Sequence, residues 1–552
     1  MFLHLLRAIR IFVRRFAVPA LRDRDRARNA LAFRLALEEL GGAWIKLGQA
    51  LALRFDLLPE EYCYELFRLL DRLPAFPYVT VRTIVEEDLN APLERMFFSF
   101  EVSPFAAASI GQVHRAVLMD GTHVAVKIRR PGIVKAMRRD LRAMALLARI
   151  LDGIGVAGGE TCQSFVDELA RWIDDELDFT VEARHGNQLA ANSEQNRTER
   201  IARVFMAYSA TRVITTELLD GTPLIEVIGA IRRGDDAFLE AFASEGHDLG
   251  RVAEHFVWNS LNQIYRFGLF HADVHPANLI VMEDDVIGYV DFGIVARLDD
   301  VVRQSLAYYA SQLFAGRVDR AVDELLRWIS PSGYTNLRDA RADLSAVMEE
   351  YIASYANTSG RRQPVSRSAN FEIGIMKVIR RHSLVVSPNI VLYLKTAITG
   401  NSVIFEIAPD LDLANQENQF FGRLLLAEAR RWLDPPEALS MSYEIAHRVG
   451  RALGITDSLQ DFEFQAQGAA EDVRRRLVRF RLAAAAAGAA TVVIVWNGDR
   501  LPLADVRRRL LVVGTALVAV GFAIASYREG SRLPRRRDSS FPRDSRRRSH
   551  RR

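Results

Sequence analysis

The stretch from Phe267 to Gly293 reads FGLFHADVHPANLIVMEDDVIGYVDFG, and the spacing of its polar residues is the most informative feature of the chain. Asp273 is followed five residues later by Asn278, and Asp291 comes thirteen residues after that, in an Asp-Phe-Gly tripeptide behind the strand-like VIGYV. In phosphoryl-transfer enzymes such an Asp accepts or orients a hydroxyl, while the Asn and the second Asp bind Mg²⁺ at the phosphates. The stretch therefore predicts a phosphotransferase loop with Asp273 as catalytic residue and Asn278 and Asp291 as metal ligands.

A polar turn is the alternative explanation for HADVHPAN, because Pro276 can end a helix and Asp and Asn often cap the next element. The Asp-Phe-Gly tripeptide, at the distance along the chain that kinases show after such a loop, argues against this alternative. So does an upstream strand, HVAVK, which ends at Lys127 and supplies the lysine that the same chemistry needs for the α- and β-phosphates. We therefore predict that Lys127 is a catalytic and nucleotide-binding residue.

Lysine usage gives supporting evidence that is independent of any motif. Of the 73 Lys and Arg residues only five are Lys, at positions 46, 127, 135, 377 and 395. A phosphate site that needs a compact ammonium cannot freely take the planar fork of Arg, so Lys46 and Lys127 stand out. Base composition can produce the same bias toward Arg.

Where kinases carry a glycine-rich phosphate loop, this chain has an alanine run, PFAAASIGQVH, from Pro104 to His114. Each methyl group excludes positive φ and holds the backbone away from a ligand, whereas a serine hydroxyl can reach a phosphate oxygen. An alanine run is also typical of a helix or a tight turn. The predicted nucleotide-binding residues of this loop are Ala106, Ala107, Ala108 and Ser109.

Four segments resemble the UbiB-type atypical kinases, the aarF-domain family. They are AAASIGQVHRA at 106–116, VAVKIRRPGI at 124–133, WIKLGQ at 44–49 and HADVHPAN at 271–278. The resemblance extends from about residue 35 to 415 in family order, although Val274 stands where the family commonly has Pro or Leu and Ala277 where it has Gly. It implies an α+β, bilobal protein-kinase-like fold with an N-terminal helical extension, and the use of ATP or ADP with Mg²⁺.

The resemblance also implies roles for a Lys-x-Gly-Gln and a Glu-x-Asp motif. Lys46, Gly48 and Gln49 would belong to an extension that folds over the active site, where a protein substrate would otherwise dock. Glu176 and Asp178 would form the second motif, facing that extension. Without the resemblance, GGAWIKLGQALALRF would be an ordinary amphipathic helix.

A helix from Ser164 to Leu189 is expected to supply the glutamate that pairs with the phosphate lysine. Glu176 and Glu182 are the candidates, and because they are six residues apart they do not share one helical face. We assign Glu182 to Lys127. Glu217, at the end of the strand-like TRVITTEL, resembles a kinase hinge residue that would meet adenine, though a plain strand end fits equally.

A chain of 552 residues, 49% hydrophobic and 26% charged, is too long for one core, and the two cysteines indicate a reducing compartment rather than a disulfide framework. The predicted units are a basic amphipathic N-terminal helix (1–30), a helical extension with the Lys-x-Gly-Gln motif (31–100), a kinase-like N-lobe (101–220), a helical C-lobe (221–434), a linker (435–481), a membrane hairpin (482–527) and a disordered basic tail (528–552).

Two apolar runs near the C-terminus, at 482–496 and 510–527, predict a hairpin of two transmembrane helices. Fifteen residues at 1.5 Å each fall short of a ~30 Å hydrocarbon core, whereas eighteen nearly reach it. Arg474–Arg476 and the basic tail flank the pair, so both ends should be cytoplasmic, although Arg507–Arg509 in the turn weaken this assignment. A soluble alanine-rich helical pair is the alternative.

Basic segments at both ends of the chain predict contact with an anionic membrane lipid. From Arg528 onward there are eleven Arg and three acidic residues, a net charge of +8. The whole chain has a net charge of +4, so residues 1–527 carry −4. In MFLHLLRAIRIFVRRF the arginines share one helical face, as in an interfacial helix, unless that helix packs on the body. Nucleic acid is not expected, because no aromatic platform or base-reading motif accompanies the tail. Together these features predict the cytoplasmic face of a membrane, and the resemblance, whose bacterial members often carry a similar hairpin, implies a bacterial inner membrane.

The sequence thus predicts an ATP- and Mg²⁺-dependent phosphotransferase or ATPase. No Ala-Pro-Glu follows Asp-Phe-Gly, which argues against peptide substrates. The resemblance implies a role in ubiquinone or related isoprenoid-quinone biosynthesis, with quinone precursors or biosynthetic proteins as partners. A small-molecule kinase acting on a hydroxyl and a non-catalytic, nucleotide-gated lipid-binding scaffold remain alternatives.

Overall fold

The structure is a computed structural model that describes residues 2–431, apart from gaps at 24, 53, 55–57, 67, 70–73, 108–109, 154–161, 332–334, 357–365 and 383. The predicted linker, membrane hairpin and basic tail lie outside the described residues, as do Ala108 and Ser109.

Helices form the N-terminal part of the chain. They are α1 (Phe2–Phe12), α2 (Val18–Arg22), α3 (Arg26–Leu40), α4 (Ala43–Ala52) and α5 (Glu60–Leu66), with a π-helical segment Val13–Ala17 between α1 and α2. The rings of Phe12 and Phe16 lie 5.8 and 5.1 Å from that of Phe33 on α3. Ile9 and Val13 are exposed. Part of the apolar face of the first helix therefore packs on the chain itself.

A sheet follows these helices. The helices and strands of this region are α6 (Tyr78–Leu89), α7 (Leu93–Met96), β1 (Phe97–Phe100), β2 (Ala106–Ala107), β3 (Gly111–Leu118), β4 (His123–Arg129), α8 (Ile133–Gly153), α9 (Cys162–Glu176), α10 (Phe179–Ser193), β5 (Glu199–Ile201) and β6 (Val213–Glu217). Strands β1, β3, β4 and β6 lie side by side in that order, all antiparallel, and β2 pairs with β3. The alanine run thus begins as a strand rather than a helix.

Strand β4 places Lys127 by simple alternation. Val124, Val126 and Ile128 are fully buried in one core, so the residues between them point to the opposite face of the sheet. Lys127 stands opposite Val113 of β3 and Ile214 of β6 in the centre of this sheet. Its ammonium is therefore directed to the face where the remaining chain packs.

The expected single helix from Ser164 to Leu189 is wrong. Helix α9 ends at Glu176 and α10 begins at Phe179. The reason is Asp178, whose side chain accepts hydrogen bonds from the backbone N and the hydroxyl of Thr180 at 3.0 and 2.8 Å. Asp side chains compete in this way with helix continuation and favour an N-cap.

The rest of the chain is mainly helical. Its elements are β7 (Thr222–Pro223), α11 (Leu224–Arg233), α12 (Asp236–Ser244), α13 (Leu249–Leu261), β8 (Leu269–His271), β9 (Leu279–Val281), β10 (Ile287–Tyr289), β11 (Val295–Arg297), α14 (Asp300–Phe314), α15 (Val318–Leu325), β12 (Ile329–Pro331), α16 (Leu337–Ala356), α17 (Ser366–Arg381), β13 (Leu384–Val386), α18 (Pro388–Ile407) and α19 (Leu413–Arg431). Strands lie in the order β5, β10, β9, β7, with β5 parallel to β10, while β8 pairs with β11 and β12 with β13.

Within the described part of the chain, one helical stretch has the length and apolar composition to cross a membrane, Asn389–Ile407 in α18. Its mean hydropathy is 1.3, and 44% of it is buried inside the protein. This helix packs on α11, α13, α17 and β11, so it is also a core helix of the helical part.

Candidate active site

Lys127 lies between two carboxylates that come from distant parts of the chain. Its Nζ donates to Glu182 Oε1 at 3.0 Å and Oε2 at 3.1 Å, and to Asp291 Oδ2 at 3.2 Å. Glu182 projects from the first turn of α10, and Asp291 follows β10. The structure therefore brings these three predicted site residues together.

The two acids beside Lys127 differ in their pKa values and in their exposure. Burial alone lowers the pKa of Lys127, but Asp291 and Glu182 outweigh it and raise the pKa above its ordinary value. Burial raises the pKa of Glu182 to about 7, against the pull of Lys127. The Asp291 side chain is 44% exposed, and although partial desolvation opposes it, Lys127 holds the pKa of Asp291 below the usual range. Asp291 is thus the more exposed of the two acids and the one with the lower pKa, which suits a metal ligand.

The catalytic-loop residues Asp273 and Asn278 are hydrogen-bonded to each other. Asn278 Nδ2 donates to Asp273 Oδ2 at 3.1 Å and to its backbone O at 3.0 Å. Since both partners are acceptors, the amide orientation is fixed and the Asn278 Oδ1 faces away from them. The backbone N of Val290 donates to Asn278 O at 3.0 Å, which sets Asn278 beside the segment that contains Asp291. An amide oxygen and a carboxylate are ligands that Mg²⁺ prefers, so the two residues fit the predicted metal.

Lys395 on α18 is a site residue that sequence reasoning missed. Its Nζ donates to Asp273 Oδ1 at 2.9 Å. Burial raises the pKa of Asp273, but the charge and hydrogen bond of Lys395 outweigh it and lower the pKa to about 2. The scarcity of lysine in the chain was the signal that could have found it.

His271 ties the two halves of the site together. Its Nε2 donates to the carbonyl O of Asp291 at 2.8 Å, and its Nδ1 accepts from the backbone N of Asp273 at 3.2 Å. Both contacts require a neutral ring protonated on Nε2, in agreement with burial, which lowers the pKa of His271. Asp291 has φ +61°, an uncommon backbone conformation for Asp that this contact helps to hold.

The other predicted nucleotide-binding residues lie at the edge of the sheet. Ala106 and Ala107 are exposed on β2, opposite Val113 and Gln112 of β3. Glu217 ends β6, but its carboxylate accepts from Arg200 Nη2 at 2.6 Å and from the backbone N of Arg203 at 3.2 Å. The Glu217 carboxylate is therefore already engaged, and its contact with adenine stays a prediction.

The two predicted regulatory motifs meet each other. Lys46 on α4 donates to Glu176 at the end of α9, so Glu176 and Glu182 pair with different lysines. Gly48 is buried, and a Cβ there would come within 2.8 Å of Leu37 Cδ1. Gln49 is half-buried on the same helix, and Asp178 caps α10.

Within the described residues, no group of three or more His, Cys, Asp or Glu side chains could hold a metal ion by itself. Asn278 and Asp291 supply two protein oxygens, and Mg²⁺ sites commonly add substrate phosphates and water to one or two protein ligands.

Comparison with known proteins identifies the family. A family model described as "ABC1 atypical kinase-like domain" matches residues 68–324. A "Probable protein kinase UbiB" from Marinobacter nauticus is 32% identical over 420 residues, which is 73% of this chain and 70% of that protein. The chain belongs to the ABC1/UbiB family of atypical kinase-like proteins. The predicted family and a kinase-like domain of mixed α and β structure are confirmed.

Other members of the ABC1/UbiB family are similar over less of their length. "Protein ACTIVITY OF BC1 COMPLEX KINASE 7, chloroplastic" and "KINASE 1, chloroplastic" from Arabidopsis thaliana are 35% and 31% identical over 330 and 402 residues. These matches cover 59% and 72% of this chain but only 46% and 56% of the two relatives. A solved structure of Rv3197 from Mycobacterium tuberculosis with erythromycin has a TM-score of 0.45 and 24% identity, covering 68% of this chain and 94% of that one.

Proposed function

We propose that this ABC1/UbiB family member is a membrane-attached atypical kinase or ATPase that uses ATP, or ADP, with Mg²⁺. The observation that carries the proposal is the convergence of Lys127, Glu182, Asp291, Asp273 and Asn278 in one site, from β4, α10 and the loops around β8, β9 and β10. These residues are far apart in the chain, and phosphate and metal chemistry explains all of them together.

Each residue has a role that its surroundings support. A bound magnesium nucleotide would supply the phosphoryl group and a divalent charge that offsets the phosphates. Lys127 would contact the α- and β-phosphates, held in place by Glu182, while Asn278 Oδ1 and the Asp291 carboxylate would hold the metal. Asp273 would orient a hydroxyl or a water, because a carboxyl with a pKa of about 2 is a weak base at neutral pH.

The finer features of the proposal rest on the resemblance and on sequence outside the described residues. The extension with Lys46, Gly48 and Gln49 would cover the space of a protein substrate, which disfavours peptide phosphorylation. The hairpin at 482–527 and the basic tail would hold the protein at the cytoplasmic face of a bacterial inner membrane, in contact with anionic lipid. The role would be in isoprenoid-quinone biosynthesis, as the family resemblance implies.

Phosphate release from ATP tests this proposal, with the purified full chain in liposomes. We expect slow release from the wild type, and Asp291→Asn should abolish it because a neutral amide is a poorer metal ligand than a carboxylate. Asp319→Asn is the matched control, since the Asp319 side chain is 88% exposed and belongs to a surface ion pair.

The outcomes separate the alternatives. Unchanged release in Asp291→Asn would overturn the metal assignment. Binding of Mg-ADP by calorimetry without any release would favour the non-catalytic scaffold, and transfer to an added alcohol in preference to water would favour a small-molecule kinase.

A further inference from the structure

Lys395 is a partly buried lysine on the long helix α18, and the proposed function does not yet account for it. It lies 122 residues after Asp273 in the sequence, yet its Nζ is 2.9 Å from Asp273 Oδ1. Its side chain is only 12% exposed, compared with 37% for Asp273. A lysine held in such a position is costly unless its charge is paired. The pair with Asp273 is therefore a specific contact rather than a surface contact.

Two donors from different elements hold the two oxygens of Asp273. Lys395 on α18 contacts Oδ1, and Asn278 from the catalytic loop contacts Oδ2. A carboxylate with one partner can rotate about its terminal torsion, whereas donors on both oxygens fix its plane. Lys395 thus determines one of the two contacts that orient the catalytic carboxylate.

Lys395 also sets the charge around Asp273. The other titratable neighbours are His271 and His275, whose pKa values burial lowers, and Asp291, which carries the same charge as Asp273. In the part of the chain that the structure describes, Lys395 is the cation in contact with Asp273. Without Lys395, Asp273 would lose this ion pair, whereas Asp291 would keep its ion pair with Lys127.

We propose that Lys395 is a positioning residue for Asp273, which holds the carboxylate in the plane that receives the acceptor hydroxyl or water and offsets its charge toward the phosphate. This inference rests on the proposed function. Its role differs from that of Lys127, because it acts on the acceptor side of the site through Asp273 and makes no contact with Asp291 that would affect metal binding directly.

Steady-state phosphate release from ATP, with the full chain in liposomes, tests the role of Lys395. We expect Lys395→Met to lower kcat about 10- to 100-fold, the usual effect of a misplaced reacting group. The KM for ATP and the Kd for Mg-ADP should change no more than about twofold, because the lost contact acts on the chemical step. Lys395→Arg should retain part of the rate, since it keeps the charge but not the compact head.

Lys377→Met is the matched control for this experiment. Lys377 lies on the neighbouring helix α17 and pairs with Glu60 at 2.8 Å, with 53% of its side chain exposed. We expect the wild-type rate in this variant. If Lys395→Met no longer binds Mg-ADP, its fold is disturbed, and Lys395→Gln, which is polar but uncharged and shorter, then decides: a kcat equal to that of the wild type would overturn the proposal, whereas a reduced kcat with unchanged Mg-ADP affinity would support it.

A double-mutant cycle separates a positioning role from a general structural one. Because Lys395 acts through Asp273, adding Lys395→Met to Asp273→Asn should cause no further loss of rate. Losses that multiply would overturn the inference, as would a Lys395→Met variant that is fully active while Asp273→Asn is not; both outcomes leave the proposed function intact. A wild type without any phosphate release would instead overturn the proposed function, and this inference with it.

Discussion

Asp273 shares its carboxylate between Lys395 and Asn278, and this arrangement limits its part in phosphoryl transfer. An efficient general base has a pKa near the working pH, whereas Lys395 holds that of Asp273 at about 2. Phosphoryl transfer through a loose transition state needs little proton removal before the bond to phosphorus forms, and depends mainly on positioning. In the proposed function Asp273 would therefore orient the acceptor, and Lys127, Asn278 and Asp291 would handle the charge.

At the same scale, Gly186 is a residue whose lack of a side chain matters to the site. It lies on α10 one turn after Glu182, and a Cβ there would come within 2.6 Å of Phe292 Cδ2 and 2.9 Å of Val204 Cγ2. Phe292, which follows Asp291, is fully buried. Gly186→Ala should therefore destabilise the protein by about 1–3 kcal/mol, although Ala is the better helix former.

Chemical denaturation would measure this difference. Gly422→Ala on α19 is the matched control, since a Cβ there meets nothing within 4 Å and should give a small gain of up to about 1 kcal/mol. A Gly186→Ala protein as stable as the Gly422→Ala protein would show that α10 and Phe292 are not in close contact.

Among the elements, the hairpin of β9 and β10 is flanked by both proposed metal ligands, Asn278 and Asp291, and is anchored through its turn. Asp285 is fully buried and accepts from His247 Nδ1 at 3.0 Å, the backbone N of Asp248 at 3.2 Å and Arg251 Nε at 2.7 Å. Its own carbonyl accepts from His255 Nδ1 at 2.8 Å. The turn is thus tied to α13 and the segment before it, at the opposite end of the hairpin from the metal ligands.

Asp285→Asn should lower the free energy of unfolding by about 2–4 kcal/mol. The donors that now contact a charged carboxylate would meet a neutral amide instead, and the amide NH₂ group cannot accept their hydrogen bonds. The neighbouring Asp284 is exposed and has the same φ of +58°, so Asp284→Asn is a control of equal backbone conformation. Urea denaturation of both variants measures the effect. Equal stability of the two would mean that the Asp285 contacts contribute little.

Local patterns in the sequence predict some of these elements, and long-range contacts account for the rest. Alternation in β4 directs Lys127 to one face, and short spacing keeps Asp273, Asn278 and Asp291 within one segment of nineteen residues around the β9–β10 hairpin. The break at Asp178 was missed because a helical pattern continues through it, while a side-chain cap interrupts the backbone. The partners Lys395 of Asp273 and Arg200 of Glu217 were missed because helical and strand periodicity indicate which face is buried but not which residue lies opposite.

At the scale of the whole molecule, ion pairs connect three regions of the chain to one site. Lys46 of α4 pairs with Glu176, Lys127 of β4 with Glu182 and Asp291, and Lys395 of α18 with Asp273. Three of the five lysines in the sequence are used in this way. The extension and the last core helices therefore take part in holding the site, so the described body should bind nucleotide without the C-terminal segment.

The C-terminal segment, residues 482–552, should then govern membrane attachment but not nucleotide binding. Deleting residues 482–552 should move the protein largely from the membrane to the soluble fraction while leaving its Kd for Mg-ADP unchanged. Deleting only 528–552 removes eleven Arg and three acidic residues, so the protein should stay with the membrane but lose its preference for anionic over neutral vesicles. Raising the salt concentration should weaken that preference in the full chain, because a Debye length near 10 Å at 0.1 M screens surface charges. Sedimentation with vesicles of phosphatidylcholine, with and without phosphatidylglycerol, measures each step.

Phe12 and Phe16 already pack on Phe33, so the first helix should retain little protein by itself. Full membrane retention after removal of both 1–16 and 482–552 would contradict the proposed anchor.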